Sequence, residues 1–318
     1  MRQSDEMSVS KTALLFAGQG AQFVGMGKDL SASFPSAATW FEKANLALGY
    51  DLRTVCFDGP ETELTRTEHA QPGIFLVSWV AFQLLKEGAP GVQFHAAAGL
   101  SLGEFTALAA SGTFDFETGL KIVRQRGLFM QQACEQTLGA MAAIIGLDES
   151  ETVAVCRETG IDLANLNCPG QLVISGTKEG VARACELAKL RGAKRALPLA
   201  VAGAYHSRLM EGARAKLETL LADTDVRSPS VPVVSNVTAS PHTTPTDIRA
   251  RLTRQVTAPV RWEDSIRALI AEGFTRFIEL GPGTALSGFT KRIDKNVQAL
   301  NIGDVPSLQA TLETLARS

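Results

Sequence analysis

The residues that first suggest chemistry are Gly99-Leu100-Ser101-Leu102-Gly103, which have the G-x-S-x-G spacing of a nucleophile elbow. Such an elbow needs a sharp strand-to-helix turn with small flanking residues, because the backbone crowds there. The serine then sits at a helix start, where free N–H groups favour developing negative charge. In a chain with 28 glycines the motif also arises by chance, so its context decides. A serine nucleophile needs a base, and the four histidines are His69, His95, His206 and His242. His95 lies just before Ser101 on an expected strand and would point elsewhere. His69 and His242 sit in polar, proline-containing segments that read as solvated loops. His206 follows an apolar strand and precedes a helix, the strand-end position expected of a catalytic base. By elimination it is the best candidate. No acidic residue stands out as a third member, so a Ser–His dyad stays open.

Arg126 is the next chemically informative residue. On a helix predicted over 116–134, Gly119, Val123, Arg126 and Met130 share one face. A lone charge on an apolar face is costly unless paired. Its planar fork suits a carboxylate. On the residues alone, an internal ion pair with Glu104, or a side chain that snorkels to solvent, accounts for it somewhat better. Gly18-Gln19-Gly20 fails as a dinucleotide fingerprint, because Phe23 stands at the third glycine position. Gly25-Met26-Gly27-Lys28 fails as a phosphate loop, because Asp29 follows the lysine. The glycines are better read as letting Gln19 approach a neighbouring loop.

Positioning these residues takes a succession of elements. Residues 12–16 (TALLF) read as a short buried strand, and helical patterns follow at 35–48 and 73–86. A strand at 95–98 runs into the elbow, and helices are predicted over 102–111 and 116–134. The alternation implies an α/β core with a mainly parallel sheet. From Gly139 the texture changes. Strands at 140–146, 162–167, 171–175 and 194–199 interleave with helices at 149–159 and 178–191. That order is the ferredoxin-like split βαβ pattern. The expected division is a large domain from 1–136 and 202–318, with 137–201 inserted as a small domain. Strands at 231–235 and 276–279 belong to the large one.

Composition limits the classes of function. At 318 residues, 45% hydrophobic and 20% charged, the chain has ample material for a core. A net charge of −2 gives no global field toward nucleic acid. The five cysteines form no C-x-x-C pair, which argues against zinc and redox motifs and for reduced thiols in the cytoplasm. The longest apolar run, 74–85, is too short to span a membrane and reads as a buried helix. The opening residues MRQSDEMSVSK lead into no apolar run of signal-peptide type.

Assembled in order, the motifs resemble the malonyl-CoA:acyl carrier protein transacylases of fatty acid synthesis. They are also similar to the acyltransferase domains of polyketide synthases. The matching segments are LLFAGQGAQ (14–22), GLSLGEFTALAASG (99–112), RQRGLFMQ (124–131), GAMAAIIGL (139–147), NLNCPGQLVISG (165–176), AYHSRLM (204–210), PVVSNVTA (232–239), QVTAPVRW (255–262) and ELGPG (279–283). One such segment arises easily by chance; nine in order do not. The resemblance implies a hydrolase-like α/β core carrying a ferredoxin-like βαββαβ insert. It implies Ser101 as nucleophile, His206 as base, and Gln19 with the Leu102 backbone N–H as oxyanion hole. It further implies Arg126 as the grip on the malonyl carboxylate and the Gln255 backbone carbonyl as the group orienting the histidine. Met130, Met141, Asn167 and Gln171 match cleft-lining positions. Leu100 and Tyr205 depart from the family's frequent His and Phe, at positions that face the substrate. They leave the preference open between malonyl and a branched malonyl.

The resemblance also implies that no metal or redox cofactor takes part, with the coenzyme A thioester as substrate and an acyl carrier protein as partner. The chain is expected to be a monomer. Carrier proteins of this family are acidic, and the basic pairs Lys194-Arg195 and Lys291-Arg292 either flank the cleft or are ordinary solvated pairs. The competing functions are a free-standing acyltransferase serving a polyketide synthase, an acyl-thioester hydrolase, and a non-catalytic docking homologue. The retention of Gln19, Ser101 and His206 together argues against the last.

Overall fold

A computed structural model describes residues 11–317. Residues 1–10, read above for a signal-type run, lie outside it. Among the described residues the strands are β1 (Lys11–Phe16), β2 (Ala96–Gly99), β3 (Gly139–Ile145), β4 (Asp162–Cys168), β5 (Gln171–Thr177), β6 (Arg195–Pro198), β7 (Val233–Val234), β8 (Phe274–Leu280) and β9 (Gln298–Ile302). They form a parallel sheet in the order β7-β2-β1-β8-β9 and an antiparallel sheet in the order β4-β5-β3-β6.

The central strand β1 shows why a continuous apolar run was needed. A parallel sheet is covered on both faces, and Ala13 through Phe16 are all fully buried. Leu14 and Phe16 enter one core with helices Thr67–Gly88 and Phe116–Gln136, while Ala13 and Leu15 enter another with Trp262, Ile266 and Phe277. The β1, β2 and β8 strands all end at one edge of the sheet. Gln19 and Ser101 lie in the loops that follow β1 and β2, and Glu279 is near the end of β8. Open parallel sheets bind ligands at such an edge.

The antiparallel sheet is built from Gly139 to Pro198. Ala142, Ile144 and Ile174 face helices Glu149–Thr159 and Lys178–Leu190, forming a separate core. Alternate residues Met141 and Val173 face the other way, toward the first body. The antiparallel sheet is tied to the rest of the chain at β4, where Leu166 N–H donates to the Val260 carbonyl and Val260 N–H to that of Ala164.

Several expectations needed adjusting. The helix expected from 73 starts at Thr67 and continues through Pro72, because the packing of its buried face outweighs one missing backbone donor. The strand expected over 231–235 is only two residues long. Pro232 has no N–H to give, and Ser235 N–H turns to the Ser240 carbonyl. The edge strand β9 carried no sequence signal strong enough to read. Among the described residues no helix is long and apolar enough to cross a membrane.

Candidate active site

At the end of β2 the chain turns through Ser101 and enters helix Leu102–Ala110. Ser101 has φ 54° and ψ −102°, a conformation that costs a non-glycine residue strain. Two bonds hold it there. Its N–H donates to Asn236 Oδ1 at 2.7 Å, and its carbonyl accepts from Gln255 Nε2 at 2.9 Å. The flanking glycines are sterically required. A Cβ on Gly99 would lie 1.9 Å from the Gly103 carbonyl carbon, and one on Gly103 would lie 2.1 Å from the Phe16 oxygen. Gly18 plays the matching part on the facing loop, where a Cβ would meet the Leu100 oxygen at 2.4 Å.

His206 sits in the loop after β6, also at positive φ, 56°. Its Nε2 lies 2.8 Å from Ser101 Oγ, and its Nδ1 donates to the Gln255 backbone carbonyl at 2.8 Å. That second bond fixes the tautomer and leaves the Nε2 lone pair aimed at the hydroxyl. The place of a triad carboxylate is thus taken by a main-chain oxygen.

The Arg126 guanidinium completes the group. Although 1% exposed, it has acceptors: Nη1 donates to Gln71 Oε1 at 2.8 Å, and Nη2 to Ser101 Oγ and Gln255 Oε1, each at 3.0 Å. Its carbon lies 5.2 Å from the Phe105 ring centre, and Nε has no protein acceptor. The ion pair with Glu104 weighed above does not form directly. Glu104 reaches Arg126 through the amide of Gln255, whose nitrogen donates to Glu104 and whose oxygen accepts from Arg126.

Burial and charge set the protonation states. His206 is pushed down to about 4, first by burial, then by the positive charge of Arg126, against the raising effect of its bond to Gln255. Arg126 is pushed down to about 10 by burial, with Glu104 opposing. At neutral pH the imidazole is therefore neutral and the guanidinium charged.

A cleft of about 560 Å³ opens above Ser101 and His206. Gln19, Leu100, Met130, Met141, Asn167 and Tyr205 line it. Asn167 Oδ1 is buried without a protein partner. Tyr205 hydroxyl bonds Thr67 Oγ1 at 2.6 Å and accepts from Gln19 Nε2 at 3.3 Å, while Gln19 Oε1 accepts from Gln71 at 3.2 Å. The Gln19 side chain is thus tied back at both ends. Gln171 does not line the cleft, because its Oε1 holds Arg292 Nη1 at 2.6 Å. Lys194, Arg195, Lys291 and Arg292 are all exposed.

His242 is not in a solvated loop: its side chain is fully buried against Glu104. Nor is His69 on a loop; it lies on helix Thr67–Gly88, with Nδ1 3.0 Å from the Glu63 carbonyl oxygen. The partner that His242 meets in the interior comes from a segment distant in sequence, so its polar neighbours along the chain were a poor guide.

The acyl transferase domain model matches residues 13–307. The chain belongs to the acyl transferase domain family. It is 45% identical over 312 residues to the malonyl CoA-acyl carrier protein transacylase of Bacillus subtilis strain 168, covering 96% of this chain and 98% of the relative. Among solved structures it resembles an acyl carrier protein S-malonyltransferase from Vibrio cholerae O1 biovar eltor, with a TM-score of 0.91, 40% identity, and 95% and 100% of the two chains covered. It also resembles the malonyl-transacylase PlMCAT in its complex with AntF, a type II polyketide acyl carrier protein, with a TM-score of 0.93, 39% identity, and 96% and 100% coverage.

Four polar residues of this centre escaped the sequence reading: Gln71, Asn236, Glu104 as a network member, and His242. Asn236 and Glu104 lie inside two of the matching segments, PVVSNVTA and GLSLGEFTALAASG. Polarity within an otherwise apolar stretch was the signal available for them. Gln71 was hidden because Pro72 reads as a helix start rather than as a helix interior.

Proposed function

We propose that the protein transfers a malonyl group from coenzyme A to the phosphopantetheine thiol of an acyl carrier protein, through a malonyl ester on Ser101, and so supplies fatty acid synthesis. The observation that carries this reading is the Arg126 guanidinium, 3.0 Å from the nucleophilic oxygen inside a buried site. A planar cation there binds the free carboxylate of a malonyl thioester while the thioester carbonyl faces Ser101.

His206 Nε2 takes the hydroxyl proton as Oγ attacks the carbonyl. The oxyanion meets the N–H of Leu102, which as the first helical residue has no acceptor one turn back. The Gln19 backbone N–H is the second donor, since its side-chain amide is held by Tyr205 and Gln71. Each such donor is worth about 3–4 kcal/mol in comparable sites. The carbon–sulfur bond breaks, and the coenzyme A thiolate leaves with the proton from His206. The carrier thiol then gives its proton to His206 and attacks the ester; the carbon–oxygen bond breaks, and His206 returns the proton to Ser101 Oγ. In this reading the coenzyme A thioester is the substrate, and His206, Arg126 and two backbone N–H groups supply the proton and charge partners. Asn167 Oδ1 offers an acceptor to an amide of the pantetheine arm.

Residues 1–136 and 202–318 read as a hydrolase-like domain, and 137–201 as a ferredoxin-like insert, supported by the strand order β4-β5-β3-β6 with two helices on one face. Five buried, unpaired cysteines support a reducing cytoplasm. A monomer remains our expectation.

The test is incubation with radiolabelled malonyl-CoA, followed by a carrier protein. Label should appear on wild type, move to the carrier, and be absent from Ser101→Ala. In Arg126→Ala the malonyl-to-acetyl ratio of kcat/KM should fall by hundreds- to thousands-fold, the effect of about 3–5 kcal/mol for leaving a buried charge unpaired. Label on Ser101→Ala would remove the serine from the mechanism, and release of free malonate instead of transfer would favour the hydrolase. A polyketide carrier accepted in preference to a fatty acid carrier would assign the pathway differently with the chemistry unchanged.

A further inference from the structure

Behind the nucleophile lies a buried polar chain that the acyl-transfer steps do not use. Glu104 stands in the first turn of helix Leu102–Ala110, and its side chain and that of His242 are both fully buried. Glu104 Oε1 accepts from His242 Nε2 at 2.7 Å. Its Oε2 accepts from Gln255 Nε2 at 2.7 Å and from the Asn236 backbone N–H at 3.1 Å. A carboxylate can only accept hydrogen bonds. Together with the Ser101 carbonyl, which accepts from the same nitrogen at 2.9 Å, it draws the NH₂ end of Gln255 toward itself and turns the amide oxygen the other way, where that oxygen receives Arg126 Nη2. Were the amide reversed, two donors would face each other at Arg126 and two acceptors at Glu104. Asn236 carries the same carboxylate's influence to the elbow. Its N–H is on Glu104, its Oδ1 takes the Ser101 N–H, and its Nδ2 donates to the Gly99 carbonyl at 2.8 Å. Beyond His242, Asp247 Oδ2 lies 3.8 Å from Nδ1 and is itself paired with Arg251.

We propose that Glu104, braced from behind by His242, is a positioning residue for Arg126: it fixes the orientation of the Gln255 amide and so aims the guanidinium at the acyl carboxylate. His242 occupies one carboxylate oxygen, which leaves the other to face Gln255. The pair touches neither substrate nor the reacting atoms; through Gln255 it acts on selection between acyl groups, and any effect through Asn236 on the elbow falls on both substrates alike. This inference rests on the reading that Arg126 grips the carboxylate.

The experiment measures kcat/KM for malonyl-CoA and acetyl-CoA in purified wild type, Glu104→Gln, His242→Leu, His242→Gln and Arg126→Ala. Glu104→Gln keeps the shape but replaces the charged acceptor at Gln255 Nε2 with an amide that can present either end, so the orientation is held from that side only by the Ser101 carbonyl. The malonyl-to-acetyl ratio should fall about tenfold in Glu104→Gln and in His242→Leu, the order of one misplaced hydrogen bond to a charged group. His242→Gln retains a donor and should recover most of the ratio. If Glu104→Gln does not fold, the two His242 variants carry the comparison. Equal losses for both substrates, with the ratio kept, would make the pair a purely structural element and overturn the proposal. If Arg126→Ala itself leaves the ratio unchanged, the carboxylate reading fails instead. If Arg126→Ala alone changes it, only the positioning role fails.

Discussion

His206 and Arg126 are bonded to the same oxygen, so recognition and base strength are coupled at the scale of single residues. In the proposed mechanism His206 takes a proton only when neutral, and burial together with Arg126 holds it at about 4. Activity is then retained well below pH 6.5 and lost as pH falls through that depressed value. Removing Arg126 removes one lowering cause, so in Arg126→Ala the acid limb should move to higher pH. The measurement is kcat/KM against pH with acetyl-CoA, which has no carboxylate to complicate the comparison. Coincident limbs in the two enzymes would show that Arg126 does not act on His206. A bound malonyl carboxylate neutralises the same guanidinium, so in wild type the limb of kcat should lie above that of kcat/KM.

At the scale of elements, the elbow depends on how closely helix Leu102–Ala110 approaches β1. Gly103→Ala would drive a methyl group against the Phe16 carbonyl, which is backbone and cannot rotate away. The helix start would have to shift, and Ser101 labelling by malonyl-CoA should drop by about a hundredfold or more, as a displacement of the order of 1 Å produces. Gly288 is the contrasting case. It is exposed on helix Ala285–Ile293, with nothing within 4 Å of its added Cβ. Gly288→Ala should raise stability by about 0.4–1 kcal/mol, seen as a higher denaturation midpoint. A destabilised Gly288→Ala variant would contradict a regular, solvent-facing helical turn at that position.

At the scale of the whole molecule, a net charge of −2 offers an acidic carrier no general attraction, so steering must be local. One residue of each basic pair reaches the same turn. Arg292 bonds the Pro169 carbonyl and Gln171, while Lys194 packs on Gly146, whose N–H donates to the Gly170 carbonyl. The helix bearing Lys291 and Arg292 also contributes Leu286 and Phe289 to the cleft wall. Reversing Lys194, Arg195, Lys291 and Arg292 to glutamate should raise the KM for carrier about tenfold at low ionic strength, with the effect shrinking as salt is added. A carrier KM unchanged at low salt would rule out this surface as the docking site.

The sequence by itself determined the elbow, because Gly99, Ser101 and Gly103 stand together in the chain and Gly99 is required by its contact with Gly103 four residues on; the contact with Phe16 that requires Gly103 comes only with the fold. It also determined the alternation of strands and helices, because side-chain periodicity is local. Ser101, His206 and Arg126 were legible for a related reason: each residue type is unusual where it stands, whether a serine between glycines, a histidine at a strand end, or an arginine on an apolar face. What it could not determine were pairings between residues more than a hundred positions apart. Glu104 with His242, Asn236 with Ser101, and Gln255 joining Arg126 to Glu104 exist only once β2, β7 and helix Pro245–Gln255 are packed together. For the same reason Gln171 was expected in the cleft but is turned to Arg292. Tertiary packing decides which end of an amide or imidazole meets which neighbour, and local sequence does not encode that choice.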